Sequence, residues 1–61
     1  MSHLSEKELS SVKDLLLEED LLVKKFDMLA KQAESKEVKE EMMTISNKHQ
    51  EHFNKLYSKL S

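Results

Sequence analysis

The sequence predicts an all-α protein, a two-helix antiparallel hairpin that dimerises into a four-helix bundle. The 61 residues contain no glycine and no proline, whereas leucine, lysine and glutamate are common. This composition removes the residues that break helices and supplies those that favour them. Apolar residues also recur at alternating spacings of three and four in two separate stretches, and no stretch alternates with the period of a strand. We therefore treat residues 1–61 as one helical hairpin.

The first helix has a clear start signal. Ser5 and Glu8 have the spacing of a capping box, and Leu4 and Leu9 have that of a hydrophobic staple. The pattern predicts a helix over about residues 6–32, which is about 40 Å long at 1.5 Å per residue. The face that it would bury carries Leu9, Val12, Leu16, Glu19, Val23, Phe26, Ala30 and Ala33.

The apolar pattern loses phase around Ala33 to Lys36, and Ser35 there can cap a second helix with Glu37 in its first turn. We predict this helix over about residues 36–60. One continuous helix is the alternative, because neither glycine nor proline enforces a turn. The hairpin is favoured, since long helices gain stability by packing their apolar faces. The second face carries Val38, Met42, Ile45, His49, His52 and Leu56.

Three ionisable residues, Glu19, His49 and His52, interrupt these apolar faces. A turn near Ser35 would pair positions whose numbers sum to about 69, which places Glu19 between the levels of the two histidines. A buried carboxylate needs a proton, a counter-charge or a metal. The first interpretation of the trio is a metal-free polar layer that fixes the register of the helices. The alternative is a site for Fe, Mn or Zn with these three residues as ligands.

The remaining apolar surface predicts self-association. Leu15, Leu22 and Leu29 recur every seven residues beside the main stripe. Patches this broad seldom stay exposed on monomers, and a chain of 61 residues without cysteine lacks disulfides to stabilise it. We expect a homodimer or a larger assembly. A further apolar group on another side of the first helix comprises Leu17, Leu21 and Met28.

Several functional classes are disfavoured. The net charge is −2 with acids and bases interspersed, which argues against nucleic-acid binding. No apolar run is longer than three residues, as at residues 15–17, which is too short for a bilayer, and the segment from Met1 to Leu4 has no signal-peptide pattern. We therefore expect an intracellular protein with no membrane partner. No glycine-rich phosphate loop or nucleophile–base arrangement is visible, so we expect no catalytic residues and lean against an enzyme.

The metal hypothesis can be compared with the ferritin-like pattern, in which one helix supplies a glutamate and the next a Glu-x-x-His motif. Glu19 and His52 match two of these positions, but His49 replaces the second glutamate. Glu51 lies about one hundred degrees around the helix from His52 and should face solvent. An imidazole cannot bridge two irons as a carboxylate does, which argues against a dinuclear oxygen-activating site and leaves a mononuclear or histidine-rich one.

Three segments together resemble spore coat proteins of the coat F type. They are residues 18–26 (EEDLLVKKF), residues 42–46 (MMTIS) and residues 48–56 (KHQEHFNKL). The resemblance spans Leu9 to Leu60. It implies a ferritin-like helical bundle, pairing of hairpins and a cytoplasmic or spore-associated location in sporulating firmicutes, but it supplies no enzymatic activity.

The leading hypothesis is therefore a small structural protein of the spore coat F type that self-associates through its apolar helix faces. Its partners would be further copies of itself and other coat proteins. The first alternative is a metal-binding ferritin-like bundle with Glu19, His49 and His52 as ligands. The second is a helical adaptor that binds another protein through Leu17, Leu21 and Met28.

Overall fold

A computed structural model of the chain describes residues 3–60, which form two α-helices and no strand. Helix α1 spans Glu6–Gln32 and helix α2 spans Lys36–Ser58. The all-α, two-helix prediction is confirmed. Met1 and Ser2, part of the segment in which we expect no signal peptide, lie outside the described residues.

The predicted capping box starts α1. The Ser5 backbone N–H donates to Glu8 Oε1 at 3.0 Å, and the Glu8 N–H donates to Ser5 Oγ at 3.1 Å. These two bonds satisfy donors that the first turn of a helix leaves without partners. The pKa of the Glu8 carboxyl lies below its usual range, first because the Ser5 backbone N–H bonds to it and second because of the Ser5 side chain.

A three-residue link, Ala33 to Ser35, reverses the chain. Ala33 and Ser35 are both extended, with φ/ψ of −65°/133° and −90°/146°. Within residues 3–60 no residue has a positive φ, which explains why the turn needs no glycine. The Ser35 hydroxyl accepts a hydrogen bond from the Val38 N–H at 3.2 Å and so caps α2, as predicted.

Helix α2 ends at Ser58, slightly before the predicted end near residue 60. The N–H groups of Lys59 and Leu60 donate to the carbonyls of Leu56 and Tyr57, each at 3.0 Å. These are three-residue bonds of the 3₁₀ type, a common way for an α-helix to tighten in its final turn.

The two helices pack antiparallel into a slab with extents of 45 × 16 × 10 Å. Two helices side by side are too thin to enclose a hydrophobic core. Within residues 3–60 only Ala30 and Ser46 are buried, each 4% exposed. The predicted face of α1 is at least half-buried throughout, whereas Val38 on the predicted face of α2 is 45% exposed. Neither helix is long and apolar enough to cross a membrane over the described part of the chain.

Candidate metal centre

The antiparallel turn brings Glu19, His49 and His52 together at one level of the hairpin. Glu19 is the midpoint of α1, with thirteen residues on either side. Its Oε1 lies 2.6 Å from His49 Nδ1, and its Oε2 lies 3.4 Å from His52 Nδ1. One carboxylate therefore faces two imidazoles that lie three residues apart on α2. The juxtaposition that we predicted from helical register is the one observed.

The three side chains differ in burial. Those of Glu19 and His49 are 16% and 22% exposed, but that of His52 is 54% exposed. The prediction that all three lie in the apolar seam is thus wrong for His52. Residues three apart on a helix point about 60° apart. With His49 over the seam, His52 falls at its edge, and a two-layer hairpin has no third helix to cover it.

Aromatic contacts hold the His49 ring in place. It stacks on Phe26 with a centroid distance of 5.7 Å and an interplanar angle of 19°. The His52 ring lies nearly perpendicular to the His49 ring, with a centroid distance of 5.7 Å and an interplanar angle of 83°. The Phe26 ring and the Glu19 carboxylate together restrict the rotation of His49, whereas His52 has fewer restraints.

The short contact between Glu19 and His49 is a hydrogen bond. An ionised carboxylate can only accept, so His49 is the donor in the tautomer that carries a proton on Nδ1. The His52 contact at 3.4 Å is a longer, electrostatic one. Over residues 3–60, no buried polar side-chain atom lacks a hydrogen-bond partner, so the buried polar atoms of Glu19 and His49 are satisfied within the hairpin.

The same residues can also supply metal ligands. One ligand atom from each lies within 4.8 Å of the others. Two ligands on one tetrahedral zinc are about 3.4 Å apart, because each lies about 2.0–2.2 Å from the metal. The 2.6 Å between Glu19 Oε1 and His49 Nδ1 is shorter than that. An ion held by all three residues therefore requires Glu19 to swing away or His49 to use its other nitrogen.

One side of the cluster opens on a groove of about 430 Å³. The lining is mostly apolar, and beside Glu19 and His52 it comprises Leu15, Lys55, Leu56, Ser58 and Lys59. The lining supplies no further carboxylate or imidazole. A metal at this opening would complete its coordination with water or with ligands from outside the hairpin.

A second polar contact between the helices was missed by the sequence analysis. The Ser46 hydroxyl donates to Asp27 Oδ1 at 2.5 Å and lies 3.4 Å from the carbonyl of Val23. A spacing signal was present, because Ser46 lies four residues after Met42 and three before His49. Serine and aspartate at seam spacing therefore form a polar pair in the contact between the helices.

Comparisons with protein-family models, with curated proteins and with solved structures give no match to this chain. Its function must therefore be argued from the residues of the hairpin.

Proposed function

We propose that this chain is a small structural protein that self-associates through one apolar side of the hairpin. We call that side the leucine face. It combines two rows with a seven-residue repeat, one on each helix, and the groove that Leu15 and His52 share places both rows on the same side of the hairpin. The leucine face comprises Leu15, Leu22, Leu29, Val38, Ile45 and His52.

The observation that carries the proposal is the amount of surface that a single hairpin leaves exposed. Its accessible surface is 5074 Å². A compact monomer of 7.2 kDa should expose only about 4100 Å². The excess of about 1000 Å² is close to the roughly 800 Å² that each partner buries in a standard interface. A second copy of this chain on the leucine face would remove an excess of that size.

The leucine face also has the composition expected of a buried layer. Leu15 and Val38 are 43% and 45% exposed in the single hairpin, and Leu22, Leu29 and Ile45 are half-buried. Two such faces in contact would give the four-helix bundle that the repeat predicts. The polar cluster would then lie inside the bundle, where a hydrogen-bonded layer fixes the register between helices.

Matched lysine substitutions at adjacent leucines test this proposal. Leu22 belongs to the leucine face, whereas Leu21 is 65% exposed on another side of α1. We expect sedimentation equilibrium to show a wild-type dimer at micromolar concentration. Leu22→Lys should dissociate it, because a lysine charge would be buried in the interface. Leu21→Lys should leave it intact. The opposite pattern, with dissociation by Leu21→Lys alone, would place the interface on the side of Leu17 and Met28.

A role in a larger coat would use the surface that the dimer leaves free. Leu17, Leu21 and Met28 are 67%, 65% and 53% exposed. Exposed apolar groups of this size are typical of contact surfaces. They support assembly beyond the dimer, with further copies or with other coat proteins, which is what the resemblance to the coat F type implies. If the chain is instead a helical adaptor, the same three residues of α1 would form the surface that binds the other protein.

A metal-binding bundle is the second candidate, favoured by the ligand atoms of Glu19, His49 and His52 within 4.8 Å of one another. Here one Fe, Mn or Zn ion would be held within each copy. Metal bound to the native state stabilises it by linkage. Untagged protein should then retain about one metal per chain by elemental analysis, and a chelator should lower its melting temperature. Retention of metal by a Glu19→Gln, His49→Gln double variant would exclude this site.

A further inference from the structure

We propose that a divalent transition-metal ion of the zinc type bridges two copies of the hairpin, bound by Nε2 of His52 from each copy. The inference rests on the self-association proposed above, because it needs two leucine faces in contact. It gives Glu19 a positioning role, behind the imidazole, in place of a ligand role.

The two edges of the His52 ring face different surroundings. Nδ1 lies 3.4 Å from Glu19 Oε2, on the side of the hairpin. The side chain is nevertheless 54% exposed, and because Nδ1 faces Glu19 we infer that the exposed part of the ring includes Nε2, which is then open to an external ligand. Histidines that bind metal through one nitrogen usually turn the other N–H toward a carboxylate, which fixes the tautomer and raises the basicity of the ligand. Glu19 is placed to do this for His52.

His49 is less suited to this role. Its side chain is 22% exposed, its Nδ1 is held at 2.6 Å by Glu19, and its ring stacks on Phe26. These contacts fix His49 within the hairpin. His52 belongs to the leucine face, where a second copy would approach. The site that faces the partner is therefore built on His52 alone.

The position of the cluster along the hairpin brings two copies of it together. A two-fold dimer is isologous, so residues near its axis meet their own counterparts. Side-by-side contact of two hairpins over their full length of 45 Å puts the axis near the middle of α1. Glu19 is the midpoint of α1, and His52 lies at the same level through its contact with Glu19. The His52 side chains of two overlapped copies would therefore lie near the axis.

Ligand number and charge both favour a shared ion. One imidazole is too few for zinc, which takes four ligands, and the groove beside His52 offers no other imidazole. Two imidazoles and two waters complete a tetrahedral set. Pairing the copies also brings two Glu19 carboxylates into one apolar interface, and a divalent cation offsets that charge.

Sedimentation equilibrium of the untagged full chain, in chelator and in Zn²⁺, tests the bridge. We expect Zn²⁺ to lower the dissociation constant of the dimer by at least about tenfold, since it binds the associated state preferentially. Calorimetric titration should give one Zn²⁺ per two chains. His52→Ala should still dimerise in chelator but lose the response to Zn²⁺. Glu19→Gln should keep the response with roughly tenfold weaker zinc binding.

His3→Ala is the matched control, because His3 is exposed and precedes α1. It should respond to Zn²⁺ as the wild type does, and loss of the response in this variant would overturn the proposal. Binding of one Zn²⁺ per chain without a change in mass would also overturn it, in favour of a site within one copy. A dimer that ignores Zn²⁺ refutes the bridge alone. A monomer in both conditions refutes self-association and the bridge together.

Discussion

Replacing Ser46 by alanine should destabilise the hairpin out of proportion to the size of the change. Ser46 is 4% exposed, and its hydroxyl donates to the Asp27 carboxylate at 2.5 Å. A hydrogen bond to a charged group contributes about 1.5–3 kcal/mol. Two effects reduce the loss. Asp27 is exposed enough to regain water, and alanine favours the helix by a few tenths of a kcal/mol. We expect a net loss of about 1–2 kcal/mol.

Urea and thermal denaturation followed by circular dichroism measure this loss. For a domain of this size, 1 kcal/mol corresponds to about 4–8 °C in melting temperature, so we expect a decrease of roughly 5–15 °C. All samples must share one protein concentration, because the melting temperature of a dimer depends on it. Ser10→Ala is the matched control, an exposed serine within α1, and should be neutral or slightly stabilising. Equal stability of the two variants would refute the role assigned to the Ser46 hydroxyl.

Two further predictions concern the ionisable groups. The lowered pKa of Glu8 means that its contribution to stability is complete above the pKa of the unfolded carboxyl, about 4.3, and is lost as the pH falls through the lower folded value. The stability difference between wild type and Glu8→Gln should therefore shrink on acidification in melts across that range, and a difference independent of pH would contradict the capping-box account. A double-mutant cycle in urea, with glutamine at Glu19 and at each histidine, should give a coupling of about 1 kcal/mol or more for His49. The half-exposed His52 should couple to Glu19 by less than about 0.5 kcal/mol. A larger coupling energy for His52 than for His49 would show that the more buried contact is not the stronger one.

Local sequence signals were enough to predict the helices. The capping box at Ser5 and the cap at Ser35 act through side chains only three residues from their partners, so spacing alone identifies them. The end of α2 was less predictable. Whether its last residues continue as α-helix or tighten into three-residue bonds depends on small differences that the sequence of residues 59–60 does not mark.

The candidate site was predictable because two independent patterns converge on it. Glu19 and the histidines each occupy apolar spacing, and the turn position sets their common level. The exposure of His52 was not predictable in the same way, since a helix face has no sharp edge in sequence. Burial at the edge depends on what packs beside the helix, and in a lone hairpin nothing covers His52.

The pairing of Ser46 with Asp27 needed the structure. Serine and aspartate usually face solvent, so their presence in the sequence does not indicate a contact between the two helices. Ala30, a small buried residue, lies three residues after Asp27, and the Ser46 hydroxyl of the other helix reaches Asp27 at 2.5 Å. Spacing placed Ser46 near the seam, but only the observed packing shows that its hydroxyl spans the gap between α1 and α2.

Small-angle X-ray scattering of the wild-type chain in chelator tests the central claim most directly, because it reports mass and length together. Side-by-side pairing through the leucine face predicts twice the 7.2 kDa of one chain and a longest dimension still near 45 Å. A folded particle of 7.2 kDa with a radius of gyration near 14.2 Å would contradict self-association. A dimer about twice as long as one hairpin would show that the copies meet end to end and leave the leucine face uncovered.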